Sequence, residues 1–215
     1  MAFPTSPSNN QVHKEGNRAF VYDSALGVWD QIPEADRSEV DLRRTGVTFP
    51  KGMVIQTVFH SDDTNSNSDL NAYSNIPYRS LNTTITPTFS TSKILVMIVV
   101  SLGHQDSDTG HVRLVRNPDR SSGVANVNLA IGPADGTSTS ATWSVRNSSV
   151  HCIQSFSMNY LDSPATTDPV TYGIEGFTSG TQAGTFGYNM PENNSTSDVN
   201  MGRHMSTITL QEIAQ

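Results

Sequence analysis

The chain has 215 residues, a formal net charge of −7, and 15% charged against 35% hydrophobic residues, with Ser, Thr, Asn and Gly filling much of the gap. That length suits one sizeable domain with a small appendage, and the acidic balance, with no cluster of Lys and Arg, excludes an electrostatic grip on nucleic acid. A single cysteine excludes an intrachain disulfide, so stability has to come from packing or from assembly.

The opening Met1-Ala-Phe-Pro has neither the basic start nor the apolar core of a signal peptide. The longest apolar run is too short to span a bilayer, so the expectation is a soluble protein made in the cytoplasm with no membrane partner. Phe3-Pro-Thr-Ser-Pro reads as extended, because two prolines restrict their neighbours. A turn at Glu15-Gly-Asn-Arg, the strand Ala19-Phe-Val-Tyr-Asp, a second turn near Ser24 to Gly27 and Val28-Trp-Asp complete a small aromatic hairpin module, assigned to residues 1–36. Isolated hairpins are barely stable in water, so this one needs a surface to lie on. The charge-dense stretch from Ile32 to Arg44 reads as a connector, and residues 37–52 are taken as a linker.

From Met53 onward apolar and polar residues alternate repeatedly, the period-two pattern of half-buried strands. Roughly ten strand candidates follow, centred on Val54, Leu81 with Ile85, Ile94 to Val100, Val112, Val127, Trp143, Met158, Tyr172, Phe186 and Ile208. No helix of normal length is indicated. The fold class is therefore all-β, an antiparallel jelly-roll-like β-sandwich over residues 53–215 preceded by the β-hairpin module. Ile94-Leu-Val-Met-Ile-Val-Val is apolar at every position, which implies that both faces of that strand are covered. A second subunit is the favoured cover, making Ile94, Val96, Ile98 and Val100 the expected oligomer interface; burial within one subunit is the alternative.

Candidate chemistry is sparse. The six histidines have no paired ligand spacing, so no metal and no cofactor are expected, and His104, His111, His151 and His204 read as surface or edge residues. His60 to Asp69 and Gln105 to Thr109 carry oxygen ligands but lack the glycine and final glutamate of a calcium loop, and read as solvated loops. No Gly-x-Ser-x-Gly elbow is present, and Cys152 is expected to be a buried, inert thiol. The reading is of a protein that is not an enzyme. Trp143, Tyr160, Tyr172, Phe186 and Tyr188 fall where alternation predicts core. Tyr172, Phe186 and Tyr188 are also the candidates for a glycan or host contact, since aromatic faces stack on sugars. Trp29 is a candidate contact residue of the small module, its alternative being the mini-core of the hairpin.

Several segments together resemble virion proteins of tailed bacteriophages, marine and cyanobacterial ones in particular. Phe3-Pro-Thr-Ser-Pro with Ala19-Phe-Val-Tyr-Asp-Ser-Ala-Leu-Gly-Val-Trp-Asp looks like their short N-terminal module. Thr84-Ile-Thr-Pro-Thr-Phe-Ser-Thr-Ser-Lys-Ile-Leu-Val is similar to the "ITP-S-SSKILV" signature of their fibre-type C-terminal domains. Phe156 to Pro164 resembles the "S-Y-LDSP" stretch, and Ser206-Thr-Ile-Thr-Leu-Gln-Glu-Ile-Ala the final strand, of the same domains. The resemblance covers most of the chain and implies a trimeric β-sandwich carried by a tail fibre, spike or head decoration. On that basis the expected location is the virion, with a module that docks through Phe3, Phe20, Tyr22 and Trp29. The expected partners are further copies of the chain, other tail, baseplate or capsid proteins, and a host-surface glycan. A capsid decoration or cement protein, or a head fibre, is the alternative in the same class; a cellular carbohydrate-binding jelly roll is the alternative outside it.

Overall fold

The computed structural model describes residues 3–15, 18–32, 49–70, 74–75, 79–104, 109–118, 126–147, 149–178, 184–193, 195, 197, 199 and 201–215. The connector expected before residue 49, the tip of the Glu15 to Arg18 turn and most of the Gln105 to Thr109 run lie outside them. The chain divides into two compact units, Met1–Thr48 and Phe49–Gln215.

In the first unit, β1 (Val12–Glu15), β2 (Arg18–Asp23) and β3 (Val28–Gln31) form an antiparallel sheet in that order. The β2–β3 turn is built by Asp23, whose Oδ1 accepts from the amides of Ala25 at 2.8 Å and Leu26 at 3.2 Å. Gly27 closes it at φ +70°, a conformation open to a residue without Cβ. Register places His13 opposite Phe20 and Tyr22 opposite Trp29, so the aromatic side chains share one face. Phe3 from the extended N-terminal arm lies against that face, stacked on Trp29 at 5.2 Å and edge-on to Phe20 at 5.1 Å.

The second unit contains β4 (Val54–Asp62), β5 (Ser66–Leu70), β6 (Ser74–Asn75), β7 (Thr83–Ile85), β8 (Lys93–Gly103), β9 (Gly110–Arg116), β10 (Val127–Leu129), β11 (Trp143–Val145), β12 (Gln154–Asp162), β13 (Val170–Thr178), β14 (Gly184–Tyr188) and β15 (Ser206–Ile213). Four antiparallel pairs nest inside one another along the chain: β4 with β15, β7 with β13, β8 with β12, and β9 with β11. Two further pairings, β15 with β8 and β13 with β9, close the folded-over ribbon into facing sheets. The principal strands of one sheet run β4-β15-β8-β12, and those of the other run β7-β13-β9-β11. This winding of a long hairpin is a jelly roll. Short additions fill the lanes: β14 continues β15's side of β8 at Gly103, β10 shares an edge of β9 with β11, and β5 pairs with β14. Among the described residues helical structure is confined to a 3-10 turn, Arg79–Leu81.

The core lies between the sheets. Ile94, Val96, Ile98, Val100 and Leu102 of β8 are each at most 1% exposed and face Leu114, Tyr172 and Ile174 across the sandwich layer. Each such side chain contributes about 1.5–3 kcal/mol by leaving water. The chain after β14 folds back over Gly103 and Gly187, where an added Cβ would meet the backbone of Met190 and Pro191.

Two details depart from expectation. The run His60 to Asp69 is not all loop: it includes the end of β4 and most of β5, whose main chain pairs with β14 although no apolar alternation announces it. Cys152 is exposed, because it sits in the turn before β12 rather than on the strand.

Candidate functional site

The four-stranded face β4-β15-β8-β12 turns its second surface to solvent. Strand pairing arranges it in rows: Ser61-Thr207-Val99-Ser157, then Phe59-Thr209-Met97-Asn159, then Thr57-Gln211-Leu95-Leu161. None of these side chains ionises. A fourth row, Val54-Ile213-Lys93, brings the first charge, at the rim. Phe59 is 63% exposed, Leu161 47% and Val99 42%. Alternation explains their position: the odd residues of β8 point away from the core that the even residues fill. A single apolar residue is normal on a surface; here Phe59, Leu95, Met97, Val99 and Leu161 are grouped on one face, among Ser, Thr, Asn and Gln.

Buried carboxylates brace the sandwich behind this face. Glu212 on β15 is fully buried. Its Oε1 accepts from the amides of Thr88 at 2.8 Å and Phe89 at 3.2 Å, and its Oε2 accepts from Gln56 Nε2 at 2.6 Å and Thr88 Oγ1 at 3.0 Å. Burial would raise its pKa, but these donors outweigh it and hold the carboxyl below its ordinary value. The Thr86 to Ser92 turn is thereby tied to the last strand, with Phe89 edge-on to Phe49 at 5.6 Å.

Asp62, at the end of β4, accepts from Tyr188 at 2.9 Å, from the Thr64 amide and hydroxyl at 3.0 and 2.7 Å, and from the Ser80 hydroxyl. Here too burial is opposed and outweighed by hydrogen bonds, led by Ser80, so the pKa is lowered. Asn189, held at φ 57°, donates to the Asp62 and Thr64 carbonyls and accepts from Ser206 at 2.6 Å. Asp162, at the end of β12, crosses to the other sheet, accepting from Arg116 at 2.8 Å and Tyr172 at 2.7 Å. Burial, then the facing carboxylates, push the Tyr172 and Tyr188 hydroxyls far above the ordinary tyrosine value of 10.0. These are the bonds of structural struts: both oxygens of Glu212 and of Asp62, and Oδ2 of Asp162, are held by hydrogen-bond donors.

Several expected site residues are placed differently by this arrangement. Ile94, Val96, Ile98 and Val100 are not an oligomer interface; all four point into the unit's own core. The strand is apolar on both faces because its neighbours, Leu95, Met97 and Val99, form the outward face. Tyr172, Phe186 and Tyr188 are at most 1% exposed and are not available to a glycan; the two tyrosine hydroxyls are spent on Asp162 and Asp62. His104 is not a surface residue. Its ring is buried, stacked on Phe186 at 4.9 Å, with Nδ1 2.9 Å from the Thr185 carbonyl.

In the small unit, Phe3, Phe20, Tyr22 and Trp29 come together, but on one another, with Phe20 buried and the other three half-buried. The indole of Trp29 belongs to this mini-core. Among the described residues no cluster of three or more His, Cys, Asp or Glu could hold a metal ion. Sequence reasoning missed Glu212, Asp62 and Asp162 because a carboxylate at a strand end looks like a solvated turn residue until the donors from distant segments are seen.

No protein-family model matches the chain, and no curated protein matches it in sequence. Among solved structures it is similar to the infectious bursal disease virus VP2 subviral particle protein at 10% identity and a TM-score of 0.29. The similarity covers 99% of this chain and 46% of the other, so the chain spans under half that protein's length. The jelly-roll assignment stands on the strand pairing itself.

Proposed function

We infer that this chain is a non-catalytic structural component of a bacteriophage particle, of the small tail-fibre or spike type. The first unit attaches to other virion proteins, and the sandwich assembles with further copies, as a trimer on the resemblance described above. The observation that carries this reading is spatial. The Thr84 to Val96, Phe156 to Pro164 and Ser206 to Ala214 segments, each similar to phage virion proteins, are separate in sequence yet supply β7, β8, β12 and β15. The last three of these are adjacent strands, and Glu212 of the last segment clamps Thr88 and Phe89 of the first. What resembles the family is thus one mechanical unit rather than scattered short motifs.

Burial of Tyr172, Phe186 and Tyr188 favours a second reading, a capsid decoration protein, because it removes the aromatic set that a receptor-binding role would use. Particles lacking the protein separate the two. Lost adsorption with normal heat resistance supports the fibre, whereas normal adsorption with lowered heat resistance supports decoration. Absence of the protein from purified particles, by mass spectrometry and gold labelling, would overturn both. Deleting Met1 to Asp36 is expected to leave a folded sandwich that no longer joins the particle; retained incorporation would remove the anchoring role from the first unit.

A further inference from the structure

We propose that copies of this chain bind one another through the outward face of β4-β15-β8-β12, with Phe59, Met97, Val99 and Leu161 at the contact. The proposal rests on the reading of the chain as a self-assembling particle protein and names a face-to-face, two-fold contact, separate from the three-fold one that the family resemblance implies.

Charge selects the occupant. Each copy carries a net charge of −7, so two copies repel except where a surface free of charge lets them approach. Twelve positions in the three inner rows carry no ionisable group, so an identical face meets it with neither like-charge repulsion nor an unpaired buried ion. A strongly charged partner would find no counter-charge there and would lose hydration on binding.

Size agrees. Four strands about 4.8 Å apart and the three charge-free rows about 6.8 Å apart span about 19 by 20 Å, or about 390 Å² of projected surface, and the rim row with Val54, Ile213 and Lys93 brings the face to about 500 Å². Two such faces remove about 1,000 Å² from water, the area at which specific interfaces begin. The remaining positions are mainly Ser, Thr, Asn and Gln, which hydrogen-bond across a contact without the cost of desolvating an ion.

Sedimentation velocity of the full chain at micromolar concentration tests this. The wild type is expected as an oligomer of the 23.3 kDa chain. Phe59→Glu and Val99→Glu place like charges face to face, and each is expected to weaken association by about 100-fold or more. Both positions are exposed, so the far-UV spectrum should be retained; Thr209→Lys, between Phe59 and Met97, is the second probe should either fail to fold. Val127→Glu, 36% exposed on the opposite sheet, is expected to leave assembly unchanged. A monomeric wild type, or an oligomer that survives both glutamates, overturns the proposal. A monomer still found in particles would leave the virion reading standing, and an oligomer absent from particles would do the reverse.

Discussion

Replacing Glu212 tests whether a buried carboxylate, rather than the apolar core alone, holds the end of the sandwich together. Glu212→Ala removes the acceptor for four hydrogen bonds and strands the amides of Thr88 and Phe89. A buried donor left without a partner costs about 1–3 kcal/mol, so the alanine variant is expected to lose about 4 kcal/mol. Glu212→Gln keeps the shape and one oxygen for the two amides, but it points an NH2 group at Gln56 and Thr88, for an expected loss of about 2 kcal/mol. With a urea slope of about 2.5 kcal/mol per molar, the midpoints fall by about 1.6 M and 0.8 M. All proteins should be compared at one concentration, since the self-association proposed above would make the midpoint concentration-dependent.

The pH dependence supplies the sharper readout. A folded pKa below the ordinary 4.5 means that the unfolded chain takes up the proton first. The stabilisation is therefore fully present above pH 4.5 and is lost as pH falls toward the folded value. Glu212→Gln should flatten that acid limb. An unchanged urea midpoint, or an acid limb as steep as the wild type's, would refute the clamp.

The remaining predictions use the same logic elsewhere. Tyr188→Phe and Tyr172→Phe each delete a hydroxyl bonded to a carboxylate, at about 1.5–3 kcal/mol apiece, and should lower the thermal midpoint by several degrees. Because both hydroxyls titrate above the ordinary 10.0, stability is present below pH 10 and lost above it, and absorbance titration should show two tyrosines ionising only as the protein unfolds. Gly187→Ala drives a Cβ into the backbone of Met190 and Pro191 and should destabilise by several kcal/mol in a thermal melt, whereas Gly132→Ala, with open space around it, should stay within about 0.5 kcal/mol. Phe3→Ala removes the ring that stacks on Trp29 and meets Phe20 and His13; in a Trp143→Phe background the Trp29 emission should shift to the red, and unchanged emission would refute a Phe3-capped core.

Much of the fold was legible because strand periodicity is written directly in side-chain polarity. Ile208 and Leu210 alternate with Thr207, Thr209 and Gln211, and burial follows that alternation residue by residue. β12 repeats it with Phe156, Met158 and Tyr160 turned toward the core. Pairing was not legible, since nothing near Val54 announces that its strand will lie beside residues at the other end of the chain. β5 escaped because an edge strand of Ser and Asn is held by main-chain bonds, which leave no mark on polarity. His104 escaped because a lone histidine in a polar run carries no sign that Phe186 will cover it.

The strand Ile94 to Val100 shows how an unbroken apolar run can be read for the right property and assigned to the wrong residues. Apolarity at every position implies a cover on both faces, but it does not say which face the protein's own second sheet supplies. The β-branched even residues, Ile94, Val96, Ile98 and Val100, are turned into the core and at most 1% exposed. That leaves Leu95 and Met97, half-buried, and Val99, exposed, on the outward face. A self-contained sandwich has no packing reason to place these three apolar side chains outward, with Thr, Ser, Asn and Gln beside them on the neighbouring strands and a charge only at the rim, at Lys93. Polar residues there would cost the fold little and would guard against association. On the proposal above, assembly falls to the odd residues of β8, which is why one glutamate at Val99 is expected to separate the copies while the strand keeps its place in the sheet.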